Sequence, residues 1–215
     1  MSFKELPGNW KLFFQKPANK YVFPLTIIIL IIVLNLFGRF LVFVENRHGV
    51  VLHDPLFDMF QAIDFNTPVF ILIYGSLLTG LVSLIPYPKH LMLALQTYSI
   101  MVIFRFIAMY LTPLEVPAGI INLRDPLVFT LGTGQIVTKD LFFSGHIASL
   151  TILFFTAKNN FLKGMFLAFG IIVTVLIFFQ KAHYTIDMLS APFFAFAAFS
   201  IARKLNKKLL GQEKT

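Results

Sequence analysis

The chain has 215 residues, 57% of them hydrophobic and 13% charged, with 27 phenylalanines and a net charge of +8. A soluble domain of this size has no interior able to hide so much apolar surface, which excludes an ordinary globular domain. The basic residues flank apolar blocks instead of forming a stripe interleaved with aromatics, which excludes nucleic acid as a partner, and the lack of cysteine excludes disulfides, thiolate chemistry and cysteine-ligated metals.

Residues 1–21 are polar and aromatic, with Lys4, Lys11, Lys16 and Lys20. Trp10, Phe13 and Phe14 predict a short amphipathic stretch lying along the membrane interface. The apolar block that follows is too long for a signal-peptide core and lacks a small-residue cleavage site, so it is expected to stay as the first span.

Six apolar blocks approach the length of about 20 helical residues that a bilayer core demands. They cover 22–44, 68–85, 91–111, 141–157, 162–179 and 184–203. Backbone groups in lipid must be satisfied within their own segment, so each is predicted to be a helix. Orientation follows from the cations. The N-terminal segment, Lys89, the turn holding Lys158 and Lys163 and the C-terminal segment carry twelve, against Arg47, Arg124, Lys139 and Lys181 on the other side. The positive-inside rule then makes both termini cytoplasmic and turns the two long loops, 45–67 and 112–140, outward.

Two motifs stand at the outward ends of the fourth and sixth blocks. Phe142-Phe143-Ser144-Gly145-His146 opens the fourth. A helix N-terminus offers unpaired N–H groups and a positive dipole end to a phosphate. There Gly145 would let a ligand near the backbone, Ser144 would add a hydroxyl donor, and His146 would exchange a proton. The plainer alternative is a capping serine followed by an interfacial histidine. His183-Tyr184-Thr185-Ile186-Asp187 opens the sixth. A histidine and an aspartate four apart share one side of a helix, where the carboxylate fixes and charges the imidazole. The alternative is a helix-start acid neutralised by its neighbour, but a carboxylate leading into an apolar helix is costly and usually functional. Both spans run inward from the same face, so the two histidines share a depth. Arg105, six residues before the outward end of the third block, reaches the same layer, and Arg39 is read as snorkelling.

These motifs together resemble the sphingomyelin synthase branch of the type 2 phosphatidic acid phosphatase (PAP2) superfamily. The resemblance rests on Arg105-Phe106-Ile107-Ala108-Met109-Tyr110-Leu111-Thr112 with Val116-Pro117 after it, Asp140-Leu141-Phe142-Phe143-Ser144-Gly145-His146, and His183-Tyr184-Thr185-Ile186-Asp187. Pro55-Leu56-Phe57-Asp58 is a looser match, and the likeness spans about 54–202. It implies an all-α membrane protein, a six-helix PAP2-like bundle over 22–203 that forms the catalytic domain, with a basic cytoplasmic tail over 204–215. It implies catalysis by His146, His183 and Asp187, with Arg105, Ser144, Gly145, Asp140, Tyr184 and Lys181 binding substrate, and no cofactor or metal. His183 would attack the phosphorus of a phospholipid donor, and His146 would protonate the departing diacylglycerol and then deprotonate a lipid alcohol acceptor such as ceramide. The expected location is the plasma or inner membrane, or the Golgi of a eukaryote, with the site facing the exoplasmic, periplasmic or lumenal side.

The chain departs from the phosphatase branch of that superfamily. It lacks the Lys–six residues–Arg-Pro motif, and Leu176-Ile177 occupy the positions of a Ser-Arg pair. This favours transfer over hydrolysis and leaves Arg105, Lys139, Lys181 and Arg124 as candidates to offset phosphate charge. Glu115 stands where the synthases usually have proline. A lipid-phosphate phosphatase is the alternative, and a non-catalytic scaffold or carrier the third reading.

Overall fold

The computed structural model describes residues 6–210. Its helices are α1 (Leu6–Gln15), α2 (Pro17–Glu45), α3 (Asn66–Leu84), α4 (Pro88–Leu111), α5 (Gly145–Thr156), α6 (Asn160–Phe179) and α7 (Thr185–Leu210). Five of them, all but α1 and α5, are long and apolar enough to cross a membrane.

The amphipathic stretch near the N-terminus is a helix. Lys16 sits in extended backbone and Pro17 starts α2, because proline at a first helical position needs no N–H and already has the right φ. Asn9 Nδ2 donates to Pro86 O and Trp10 Nε1 to Ile85 O, both at 2.9 Å, which pins α1 over the α3–α4 turn. Trp10, Phe13, Phe14 and Phe23 pack edge-on around Met92. At the other end of the chain α7 runs past Arg203 to Leu210, anchored by Asn206 Nδ2 donating to Gln96 Oε1 at 2.7 Å. Lys4 and Lys214 of the two basic segments lie outside the described residues.

The fourth apolar block departs most from expectation. Only Gly145–Thr156, 12 residues, is helical, a length of about 18 Å against a hydrocarbon core of about 30 Å. Phe142 adopts φ of 89°, and the N–H of Ser144 is drawn to Asp187 O instead of into a helix. Non-helical backbone is tolerated at such depth when protein surrounds it. Leu141, Phe143 and Ser144 are indeed buried.

α5 is the hub, packing on α3, α4, α6 and α7, and most of its residues are buried. α7 packs on α4 and α5 and carries a stripe of Ala191, Ala195, Ala198 and Ala202, all fully buried. Small side chains at this helical spacing let backbones approach closely, which is how helices associate where lipid removes the hydrophobic drive. α2 and α6 face outward, with Ile28, Ile31, Leu36, Leu167 and Ile171 exposed.

The two long loops cover one end of the bundle and are stitched together. Val50 pairs with Leu114 in an isolated parallel bridge, with Val50 N donating to Pro113 O and Glu115 N to Val50 O. Gly49 is required beside it, since a Cβ there would stand 2.6 Å from the carbonyl carbon of Leu114. All the acidic side chains of the described residues belong to this end: Glu45, Asp54, Asp58, Asp64, Glu115, Asp125, Asp140 and Asp187. Lys11, Lys16, Lys20, Lys89, Lys158, Lys163 and the cations of late α7 mark the opposite end.

Candidate active site

The two histidine motifs meet through the main chain. Ser144 N donates to Asp187 O at 3.2 Å, and Ser190 Oγ donates to the same carbonyl. The start of α5 is thereby tied to the first turn of α7.

Asp187 is fully buried in that turn, and its Oδ2 lies 3.4 Å from Nδ1 of His183. The distance suits an ion pair, but the geometry falls outside that of a hydrogen bond. The same oxygen accepts Tyr184 N–H at 3.2 Å, so Asp187 closes the helix start as the acidic half of a capping box. The expected one-sided helical pair is therefore a pair across the cap: His183 precedes α7, in the bend where Lys181 takes φ of 54°. Asp54 Oδ2, from the first long loop, accepts Thr185 N–H at 2.8 Å.

His146 stands in the first turn of α5, and its Nε2 lies 3.1 Å from Asp125 Oδ2. Asp125 is a residue that the motifs did not reveal. Its Oδ1 accepts the Tyr74 hydroxyl and the N–H groups of Leu127 (2.9 Å) and Val128 (3.0 Å). It stands just before the short helical turn of residues 126–133, two of whose first N–H groups it holds, and turns its other oxygen to the histidine. Burial works against its ionisation, but the hydrogen bond and charge of His146, with the Tyr74 and Val128 donors, bring its pKa down to about 2. The Asp125-Pro126 dipeptide signals a helix cap; nothing local signals a partner 21 residues away.

A cavity of about 320 Å³ is lined by His146, His183, Asp125, Asp140, Arg124 and Asn122 among others. Each imidazole sets one nitrogen beside a carboxylate, within a hydrogen bond for His146 and at ion-pair distance for His183, and leaves the other, Nε2 of His183 and Nδ1 of His146, for a reacting group. The volume suits a small phosphorylated headgroup and not its acyl chains.

The remaining predicted residues stand off this cavity. Arg105 is buried, pairs with Asp140 and lies over the Phe37 ring at 4.9 Å. Its guanidinium fills the space that a Cβ on Gly145 would occupy, so that glycine admits an arginine where a ligand was expected. Ser144 is buried, with no partner for its hydroxyl. Tyr184 donates to Glu115 O (2.9 Å) and accepts from Leu52 N (3.1 Å), bracing the two loops. Lys181 Nζ donates to Phe57 O at 2.6 Å and sits over the Phe60 ring.

Partners separate the four candidate cations. Lys139 is held by Glu115 Oε1 (2.8 Å) and Arg47 O (2.9 Å). That hydrogen bond, then the one from Gly49 N, keeps the Glu115 carboxyl below its ordinary range. Lys181 and Arg105 are engaged as described. Arg124 is exposed, lines the cavity and has no acidic side chain at ion-pair distance among the described residues.

Residues 139–204 match the family model described as PAP2 superfamily C-terminal. The matched segment contains both histidine motifs and Asp140, and ends within α7; Arg105, Arg124 and Asp125 precede it. No curated protein matches the chain.

Proposed function

We propose that the chain is an integral-membrane lipid phosphotransferase that moves a phosphocholine or phosphoethanolamine headgroup from a glycerophospholipid to a lipid alcohol such as ceramide or diacylglycerol. One observation carries this reading: two imidazoles line one cavity, and each has one nitrogen within 3.4 Å of a carboxylate oxygen. Such a pair supplies a nucleophile and a separate proton carrier. The PAP2 match of the segment bearing both motifs supports phosphatase or phosphotransferase chemistry on lipids.

Nε2 of His183 attacks phosphorus, the bond to the diacylglycerol oxygen breaks, and that oxygen takes a proton from Nδ1 of His146. The acceptor hydroxyl then returns a proton to His146 as its oxygen attacks phosphorus, the phosphorus–nitrogen bond breaks, and His183 is free again. Asp187 stabilises the charged ring of the phosphorylated histidine, and Asp125 does the same for His146. Arg124 offsets phosphate charge. Asp140, pinned by Arg105, presents a carboxylate to the same space, where it suits a choline or ethanolamine cation. In the same reading α5 counts as a sixth crossing, both termini are cytoplasmic, and the cavity opens to the exoplasmic, periplasmic or lumenal side.

The test uses purified protein in mixed lipid with headgroup-labelled phosphatidylcholine or phosphatidylethanolamine, with and without ceramide and diacylglycerol. Label appearing on the acceptor, with little free phospho-base, is the expected result. Acceptor-independent release of inorganic phosphate from phosphatidic acid, faster than any transfer, would replace this reading with a phosphatase.

A further inference from the structure

A second cavity, of about 310 Å³, lies at the end of the bundle opposite the histidines. α1, pinned over the α3–α4 turn, forms its roof. Its walls include Leu12, Phe13 and Pro86, and its cations are Lys16 and Lys89, both exposed. The first turns of α2 and α4 converge on it, and neither helix start is capped by a side chain. Two positive dipole ends and two ammonium groups therefore face one space, and no acidic side chain among the described residues lines it.

Asn19, also in the lining, supplies an independent observation. It is 1% exposed; its Nδ2 donates to Phe13 O at 2.6 Å, and its Oδ1 meets no donor. A buried acceptor left unpaired costs free energy until a donor reaches it. The cavity thus asks for a ligand with a negative charge, a hydroxyl or ammonium proton, and apolar surface beside them. It opens where apolar helices end, next to a helix carrying Trp10 and exposed Leu12, which is the depth of phospholipid headgroups.

We infer that this cavity is a binding site for an anionic phospholipid with a hydroxyl-bearing headgroup, of the phosphatidylglycerol kind, and that it is separate from the site of the transfer reaction. The phosphate lies between Lys16 and Lys89 at the two helix starts, and a headgroup hydroxyl donates to Asn19. A zwitterionic lipid brings a second positive charge to a cationic space and binds less well. Occupancy ties α1 to the start of α4, joining the interfacial helix to the span that carries Arg105 at its far end.

Native mass spectrometry of the whole chain, released from micelles doped with dioleoyl phosphatidylglycerol, tests this. The expected result is retention of the lipid, weakened about tenfold or more in Lys16→Gln/Lys89→Gln, as two surface lysines warrant. The control Lys207→Gln/Lys208→Gln removes the same charge at the same end outside the cavity and should retain lipid as the parent does. Lipid held near the histidines is common to all three proteins, so their difference reads this cavity. Equal loss in the control would reduce the site to diffuse charge and overturn it, as would displacement by millimolar inorganic phosphate. Phosphatidylmethanol has the same charge without a hydroxyl and should be retained less by the parent; equal retention would remove the role given to Asn19.

Discussion

The backbone N–H of Ser144 donates to the carbonyl oxygen of Asp187 across 3.2 Å. Ser144 stands two residues before His146, and Asp187 four after His183. A main-chain bond therefore sets the separation of the two imidazoles, with none of the reacting side chains involved. Substitutions of those side chains should change chemistry and leave the spacing intact.

His183→Ala should abolish transfer, because no phosphoryl-enzyme can form. His146→Ala removes proton transfer, a loss of about 10²–10⁴-fold. The two losses should not add in the double variant, since the groups act as a unit. The deciding measurement is mass-spectrometric trapping of a headgroup adduct: on His183 as expected, whereas an adduct on His146 would exchange the roles.

Asp125→Asn should lower the rate by about tenfold to a thousandfold, within the range of general acid–base effects, by removing the charge beside His146 while nearly preserving volume. The same substitution has a stability signature. A carboxyl depressed to about 2 in the folded chain contributes stability that is fully present above its unfolded value, about 3.9, and is lost as pH falls through about 2. Thermal melts of the parent should therefore fall between about pH 4 and pH 2 more steeply than those of Asp125→Asn. Superimposable melting profiles would mean that Asp125 is not held as an anion.

Arg124 and Lys139 should separate cleanly. Arg124→Ala removes a cation facing the cavity, so kcat/KM for a phospholipid donor should fall about tenfold or more, the worth of a charge-assisted hydrogen bond, with little change in Tm. Lys139→Ala unties Glu115 and the Arg47 carbonyl, so Tm should drop and donor KM stay close to that of the parent. The reverse pattern in steady-state kinetics and thermal melts would transfer the phosphate role to Lys139.

Orientation can be read with single cysteines, since the native chain has none. A membrane-impermeant maleimide added outside sealed cells should label Thr130→Cys and spare Lys158→Cys, both exposed positions. Labelling of Lys158→Cys alone would turn the cavity to the cytoplasm.

The five long helices were legible because an apolar block of about 20 residues has only one stable form in lipid. The fourth block misled because 141–144 is equally apolar whether it is helical or buried as extended chain; what unwinds it is the Asp187 carbonyl, more than forty residues away. The convergence of His146 and His183 on one cavity, with Asp187 beside the latter, was legible from ionisable groups placed beside apolar runs. Asp125 was not, because the contact that matters joins a loop with no periodicity to the start of a helix. Nor could the cations be ranked, since Lys139 and Lys181 differ from Arg124 only in what holds them. The sequence motif containing Tyr184 gave no sign that its hydroxyl braces two loops.

The alanine stripe of α7 bears on biosynthesis. α7 is made after the other described helices, and its first turn carries both the Asp187 carboxylate beside His183 and the Asp187 carbonyl that holds Ser144. Until the ribosome has delivered Ala191 through Ala202, the nascent bundle has an open seam beside α4 and α5, and nothing seats the Asp187 turn against Ser144. A half-made chain in the membrane therefore holds His146 beside Asp125 but has no packed helix to fix His183 at the same cavity.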